Sequence, residues 1–200
     1  PVLITGELGT EKKIVAGIIH RNTRGSDKPF LILDAKNVNL VSSESERTKP
    51  DQLQLELAQE SALFGHERGA FSFAKTRRLG FIEVCNKGTL VIENVDQLVE
   101  SIQLKLAEFL RNRCFSPLGR CELCESSVKI VTTTSSDLSE LVSAGKFIQE
   151  LYDLLAPQTL TVPPLNKRKK DIRLIVQSRI EHYNKLFGKK IKDIDSEAYN

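Results

Sequence analysis

The feature that most constrains this chain is its opening, Pro1-Val-Leu-Ile-Thr-Gly-Glu-Leu-Gly-Thr-Glu-Lys-Lys-Ile-Val15. The apolar run at 2–4 predicts a buried strand. The chain then breaks at Gly6, turns through Gly9 and enters an apolar-periodic helix near Glu11. Strand, Gly-containing turn, Lys and helix is the layout of a phosphate-binding loop. Backbone N–H groups and the positive helix end cradle a phosphate, and the Lys reaches the outer oxygens. The usual pattern is G-x-x-x-x-G-K-[ST]. This chain reads Gly6-Glu7-Leu8-Gly9-Thr10-Glu11-Lys12-Lys13, so Glu11 stands for the second Gly and Lys13 for the Ser/Thr.

The rest of the chain supplies a matching frame. After a helix over 11–21 and a polar turn over 22–28, Pro29-Phe-Leu-Ile-Leu-Asp34 is a continuous apolar run ending in a carboxylate, as a buried parallel strand does. Residues 35–50 are polar and Ser-rich and read as a loop, 51–64 follow a helical pattern, 65–78 read as an exposed loop, and 81–86 are short and amphipathic. Gly88-Thr-Leu-Val-Ile-Glu93 is a second buried run with a carboxylate at its tip. Leu98, Val99, Ile102, Leu106, Phe109 and Leu110 share one helical face, which predicts a helix over 96–112. A hairpin over 113–127 and a strand over 128–133 follow. Asp137 caps a helix through 144. A helix over 147–155, a strand over 160–162 stopped by Pro163-Pro164, a basic linker over 166–170 and a helix over 171–187 complete the reading. Strands alternating with helices imply a parallel sheet covered on both faces. Ligands on such sheets sit at the carboxyl ends of the strands. Those ends carry the 6–12 loop, Asp34, Glu93-Asn94 and Thr134-Ser135, a nucleotide-site layout drawn from four strand tips.

Composition narrows the class. With 40% hydrophobic and 28% charged residues the chain is an ordinary globular protein, and a net charge of +3 is too small to argue for nucleic acid. No apolar run reaches transmembrane length and no signal peptide is present, so no membrane partner is expected and the cytoplasm is the expected compartment. The chain starts in mid-strand without Met and stops at Glu197-Ala-Tyr-Asn200 in a helical pattern, which reads as an excised domain. Cys121 and Cys124 have C-x-x-C spacing with Cys114 upstream. A tetrahedral zinc site would need a fourth ligand such as Cys85, and the plainer reading is four reduced thiols.

Several stretches together resemble the central AAA+ domain of sigma-54-dependent bacterial enhancer-binding transcription activators. Pro1-Val-Leu-Ile-Thr-Gly-Glu7 is similar to the family's opening strand and loop. Leu63-Phe-Gly-His-Glu-Arg-Gly-Ala-Phe71 matches the approach to its sigma-contacting loop almost letter for letter. Gly88-Thr-Leu-Val-Ile-Glu93 resembles the Walker B strand, and Leu160-Thr-Val-Pro-Pro-Leu165 followed by Asp171-Ile172 the passage into the helical lid. The resemblance implies an α/β AAA+ P-loop NTPase fold. Its α/β subdomain would occupy 1–165 and the beginning of a small helical lid 166–200.

The resemblance also implies roles, and this sequence departs from several. Gly6, Glu7, Gly9, Thr10, Glu11, Lys12 and Lys13 occupy the nucleotide-binding loop. The Walker B Asp-Glu pair reads Glu93-Asn94, leaving Glu93 to hold Mg²⁺ and no general base. Asp34 stands for the Asn at the second strand tip and Ser135 for the sensor Asn. Ile148 and Leu154 stand for two catalytic arginines. Loss of a general base costs about 10²–10⁴ in rate, and loss of arginine fingers about 10³–10⁵. Glu11 would set a carboxylate beside the phosphates, with Lys13 to offset it. The sigma-contacting loop reads Gly69-Ala70-Phe71-Ser72-Phe73-Ala74, with Phe73 in place of a Gly. A degenerate member is therefore expected: a pseudo-ATPase module of a transcription regulator, binding ATP with Mg²⁺ weakly. Its partners would be RNA polymerase and a sigma factor, copies of itself in a homo-oligomer, and DNA through a C-terminal helix-turn-helix outside this sequence, with a receiver-like domain before Pro1. An active ATPase that remodels sigma-54 polymerase is the alternative. A further one is response to cyclic di-GMP, as in VpsR-type regulators, with Lys12, Lys13 and Arg21 holding its phosphates. His66 reads as structural, Lys167-Arg-Lys-Lys170 as a solvated linker, and Asp34 and Glu93 equally as strand-end carboxylates or metal contacts.

Overall fold

The structure is a computed structural model, and it describes residues 1–25, 27–38, 52–72 and 74–195. Strand β1 (Val2–Thr5) leads through the Gly6–Glu11 turn into α1 (Lys12–Thr23), and β2 (Phe30–Asp34) ends in a 3-10 turn at Ala35–Asn37. Then come α2 (Gln52–Phe64), the short strands β3 (Gly65–His66) and β4 (Arg78–Leu79), α3 (Phe81–Val84) and β5 (Thr89–Glu93). Helix α4 (Glu100–Asn112), the hairpin strands β6 (Cys114–Phe115) and β7 (Cys124–Glu125), and β8 (Lys129–Thr134) follow. The chain closes with α5 (Leu138–Ser143), α6 (Gln149–Leu155), β9 (Thr159–Thr161) and α7 (Lys169–Phe187).

Five strands form one parallel sheet in the order β2-β5-β8-β1-β9. The side chains of the interior strands β1, β5 and β8 are buried on both faces, which is why these strands read as largely apolar runs. Leu3, Leu33, Leu90, Ile92 and Ile130 join α2, α4 and α6 in the main core. Val2, Ile4, Val91 and Val131 pack with Ala16 of α1 on the other face. Strand β1 lies inside the sheet, between β8 and β9. The register sets Asp34 beside Glu93 and Thr5 beside both Thr134 and Thr161, so the carboxyl ends finish level.

The observed boundaries differ from the expected ones where local hydrogen bonds compete with periodicity. The helix expected over 96–112 begins only at Glu100, because Asn94 is left-handed (φ 52°) and Val95–Gln97 form a 3-10 turn. The 65–78 stretch, expected as a loop, begins and ends in the two-residue ladder of β3 with β4. The basic linker expected over 166–170 is a 3-10 turn at Leu165–Lys167 running into α7, whose first residue is Lys169 rather than 171. Arg168 docks there by donating to the Thr10 carbonyl at 2.9 Å. The first helix runs on to Thr23, and β9 begins one residue early. Asp137 caps as expected, accepting from the Ser139 N–H at 2.8 Å. The loop expected over 35–50 lies, past residue 38, outside the described residues.

Two buried amides brace the helices against the strand tips. The fully buried Gln59 of α2 donates to the Ala35 and Gln97 carbonyls at 3.1 and 2.9 Å and accepts from the Val99 N–H at 2.9 Å. Gln103 of α4 donates to the Leu98 carbonyl and accepts from the Ile148 N–H. Replacing Gln59 by Leu leaves those backbone groups unpaired in the interior. Urea unfolding of Gln59→Leu is expected to show a loss of about 2–4 kcal/mol with an unchanged m-value.

Candidate functional site

The loop after β1 is built by close approach. A Cβ on Gly6 would meet the Val162 carbonyl oxygen at 2.7 Å and Thr10 Oγ1 at 2.9 Å. Gly6 donates to the Thr134 carbonyl, and Thr10 closes the turn with Oγ1 on the Glu7 carbonyl at 2.8 Å. Gly9 and Glu11 both have positive φ, 81° and 61°. Glu11 thus holds the left-handed backbone that its phosphate-loop position asks of a glycine, at a cost of about 1 kcal/mol.

Three charged side chains of the loop, those of Lys12, Lys13 and Glu11, have partners inside the chain. Lys12 curls back, with Nζ donating to the Gly6 and Glu7 carbonyls at 2.7 and 2.9 Å. Burial lowers its pKa, and the charges of Glu93 and Asp96 oppose that shift. Lys13 Nζ lies 2.8 Å from Glu93 Oε2. Its pKa is raised, chiefly by that hydrogen bond, with burial opposing and the charges of Glu93, Asp34 and Glu11 adding to the rise. Glu11 turns away from the cradle to pair with Arg179 of α7. Lys13 and Glu11 interact through their charges, as expected, while their direct ion pairs are with Glu93 and with Arg179 of the last helix.

The other strand tips are bonded in the same inward manner. Asp34 accepts from Asn94 Nδ2 at 2.7 Å, the Lys36 N–H at 3.0 Å and Asn37 Nδ2 at 2.6 Å. Burial pushes its pKa up, but those hydrogen bonds and the Lys13 charge together hold the carboxyl below its ordinary range. Asn94 is a donor to a carboxylate, not an acceptor for a proton. Ser135 is exposed. The residue turned inward is Ser136, whose Oγ lies 3.2 Å from Asp96 Oδ2, while Thr134 Oγ1 donates to Asp96 Oδ1 at 2.6 Å. Sequence reasoning missed Asp96. Its signal was a second carboxylate three residues past Glu93, brought to the tips by the 3-10 turn. Ile148, just before α6, and Leu154 of α6 pack on the main core and offer only hydrocarbon. Arg21 lies in the last turn of α1, about 13 Å along the helix from Lys12, so the Lys12–Lys13–Arg21 cluster does not form.

Arg168, just before α7, and Arg179 of α7 hold the loop from outside, on the Thr10 carbonyl and on Glu11. A cleft of about 250 Å³ beside the loop is lined by Glu7, Leu8, Gly9, Thr10, Pro164, Leu165 and Asn166. Arg168 Nε is buried without a hydrogen-bond partner.

The 69–74 stretch lies apart from the strand tips in sequence. Gly69 donates to the Ala74 carbonyl at 2.8 Å and Ala74 to the Phe71 carbonyl at 2.9 Å, while Ala70 packs against Gly119. Ser72 is exposed, and Phe73 lies outside the described residues. Phe71 meets His66 edge-on at 4.8 Å. His66 is buried, with Nδ1 2.7 Å from Ser61 Oγ and Nε2 3.1 Å from the Thr76 carbonyl. Burial lowers its pKa. Both ring nitrogens are used structurally. Cys85 lies in the main core, where burial raises its thiol to about 11. Among the described residues no group of three or more His, Cys, Asp or Glu is arranged to hold a metal.

Comparison with known proteins agrees with this geometry. The profile of the family described as "Sigma-54 interaction domain" matches residues 1–161. The regulatory protein AtoC of Escherichia coli K12 is 34% identical over 197 residues, covering 98% of this chain and 39% of AtoC. The nitrogen fixation protein AnfA of Azotobacter vinelandii is 33% identical over 199 residues, covering 100% of this chain and 34% of AnfA. The crystal structure of NtrX from Brucella abortus superposes with a TM-score of 0.81 at 24% identity, covering 99% of this chain and 41% of that one. It shows the fold. The chain spans roughly two fifths or less of the length of these proteins.

Two outcomes follow from the geometry. Breaking the Glu11–Arg179 pair by Arg179→Gln should speed amide exchange in α7 about two- to fivefold, the scale of an exposed ion pair, and the double reversal Glu11→Arg with Arg179→Glu should restore it. The Asp34 carboxyl has its pKa lower folded than unfolded. Its stabilisation is therefore full above the ordinary carboxylate range and lost as pH falls from that range through the lower folded pKa. Asp34→Asn should flatten the acid limb of a urea-midpoint against pH curve.

Proposed function

We propose that this chain, which belongs to the sigma-54 interaction domain family, is the AAA+ module of a bacterial transcription regulator that takes nucleoside polyphosphate weakly and does not hydrolyse ATP. The division at about residue 165 separates the α/β subdomain from the start of the lid. The observation that carries the reading is the bonding of Asn94. Its amide donates to Asp34, so the group at the tip of β5 that would activate water is a donor. The side chains at 148 and 154 have no N–H to offer a transferring phosphoryl group. NtrX has been crystallised in complex with ADP and with ATP, which supports linear nucleotides as the ligands of this loop. Nothing at the loop favours cyclic di-GMP, since Arg21 is remote.

At polymerase, the 69–74 loop without a hydrolysis cycle has no stroke to deliver. The chain then acts on a sigma factor by recruitment, as a homo-oligomer whose DNA contact lies in a helix-turn-helix outside these residues. Phosphate release by the full protein with Mg-ATP is expected at buffer background. Robust turnover that Lys12→Ala abolishes would overturn the reading, as would ATP-dependent open-complex formation with sigma-54 holoenzyme that is lost on deleting residues 69–74.

A further inference from the structure

Phosphate loops of this type hold a divalent cation between the Ser/Thr after the loop Lys and the carboxylate at the tip of the Walker B strand. Both positions are changed here, and they are joined to each other. Lys13 replaces the hydroxyl, and its ammonium sits 2.8 Å from Glu93. The charges of Asp34 and Glu11 act on the same ammonium. No other residue in the loop offers a hydroxyl at that place. Thr10 has its Oγ1 turned onto the Glu7 carbonyl. A metal ion placed against Glu93 would displace a bonded ammonium and meet its positive charge. The residues present do not fit a divalent cation.

We propose that the Lys13 ammonium takes the place of that cation, so that this chain takes nucleoside di- and triphosphates as metal-free anions. The inference rests on the nucleotide-taking half of the reading above. The ammonium has three N–H donors. One goes to Glu93, and the side chain is 59% exposed, which leaves donors open to solvent for the oxygens of a β- or γ-phosphate. Lys12 contributes the second ammonium. Neighbouring carboxylates raise the Lys13 pKa, so it stays charged at neutral pH. The Lys13–Glu93 pair is neutral, where a divalent ion on one carboxylate leaves one positive charge. The cradle is therefore less positive and binding correspondingly weak.

The test is calorimetric titration of the protein with ADP and with ATP, in EDTA and in excess Mg²⁺, for wild type and Lys13→Ser. Wild type should bind with the same affinity in both buffers, to within about threefold, or more weakly with Mg²⁺. Lys13→Ser should bind about tenfold more weakly than wild type in EDTA and regain affinity with Mg²⁺. Manganese EPR gives a second readout: nucleotide should draw Mn²⁺ into the Lys13→Ser complex and not into wild type. Wild-type binding that requires Mg²⁺, an unchanged buffer ratio in Lys13→Ser, or Mn²⁺ held by the wild-type complex would each overturn the proposal. Absence of heat with both nucleotides in both buffers would overturn it too, while leaving the non-hydrolysing reading in place. Circular dichroism of Lys13→Ser excludes misfolding as the cause.

Discussion

Everything at the strand tips depends on β1 being an interior strand. It is bonded to β8 on one side and β9 on the other, and both ladders continue past its end. Gly6 donates to the Thr134 carbonyl and Val162 to the Thr5 carbonyl, while the Thr5 and Thr161 hydroxyls lie 3.0 Å apart. The chain must therefore leave the sheet at Gly6 in a space that has no room for a Cβ. That one restriction aims the turn back over the sheet and starts α1 at Lys12. The same level ends bring Asp34, Glu93 and Asp96 up to the loop, because parallel strands in register finish together.

Bringing four carboxylates and two ammoniums to one place sets an electrostatic condition that is met within the chain. Glu93 takes Lys13, Glu11 takes Arg179, and Asp34 takes three N–H donors. Asp96 takes two hydroxyls, those of Thr134 and Ser136. The left-handed Glu11 shows the balance. Its backbone costs about 1 kcal/mol relative to glycine, and an exposed ion pair returns about 0.2–1 kcal/mol. Stability alone does not favour Glu11. What it adds is a bond between the loop and α7, a helix with no buried residue of its own.

The sheet was legible in the sequence because its interior strands are buried on both faces, and unbroken runs such as Leu90-Val-Ile92 follow from that burial. The left-handed residues were less legible. Asn94 and Glu11 carry no pattern that predicts positive φ, yet each decides where a helix or turn begins. The strand-tip residues could be placed from spacing, but their partners could not. Arg179 lies 168 positions from Glu11, and Asn94 lies 60 from Asp34. Asp96 escaped notice because a helix was expected to begin there, and only the 3-10 turn aims its carboxylate at Thr134.

Helix α2 connects the two halves of the molecule that function would have to couple. Gln59 bonds the turns beside Asp34 and Asp96, and Ser61, two residues on, bonds His66 beneath Phe71. Residues 58–64 are all buried, so this connection is rigid. A rigid link transmits a signal only if a ligand binds its alternative arrangements with different affinity. Under the reading proposed above, a nucleotide at the loop would replace existing bonds of Lys12 and Lys13, and its differential affinity for two arrangements would be small. Equal affinity for both arrangements shifts no population, however tight the binding. The base of the 69–74 loop is held by Ser61, the Thr76 carbonyl and the Leu118 bonds to Gly65 and Glu67, all of them contacts within the fold itself.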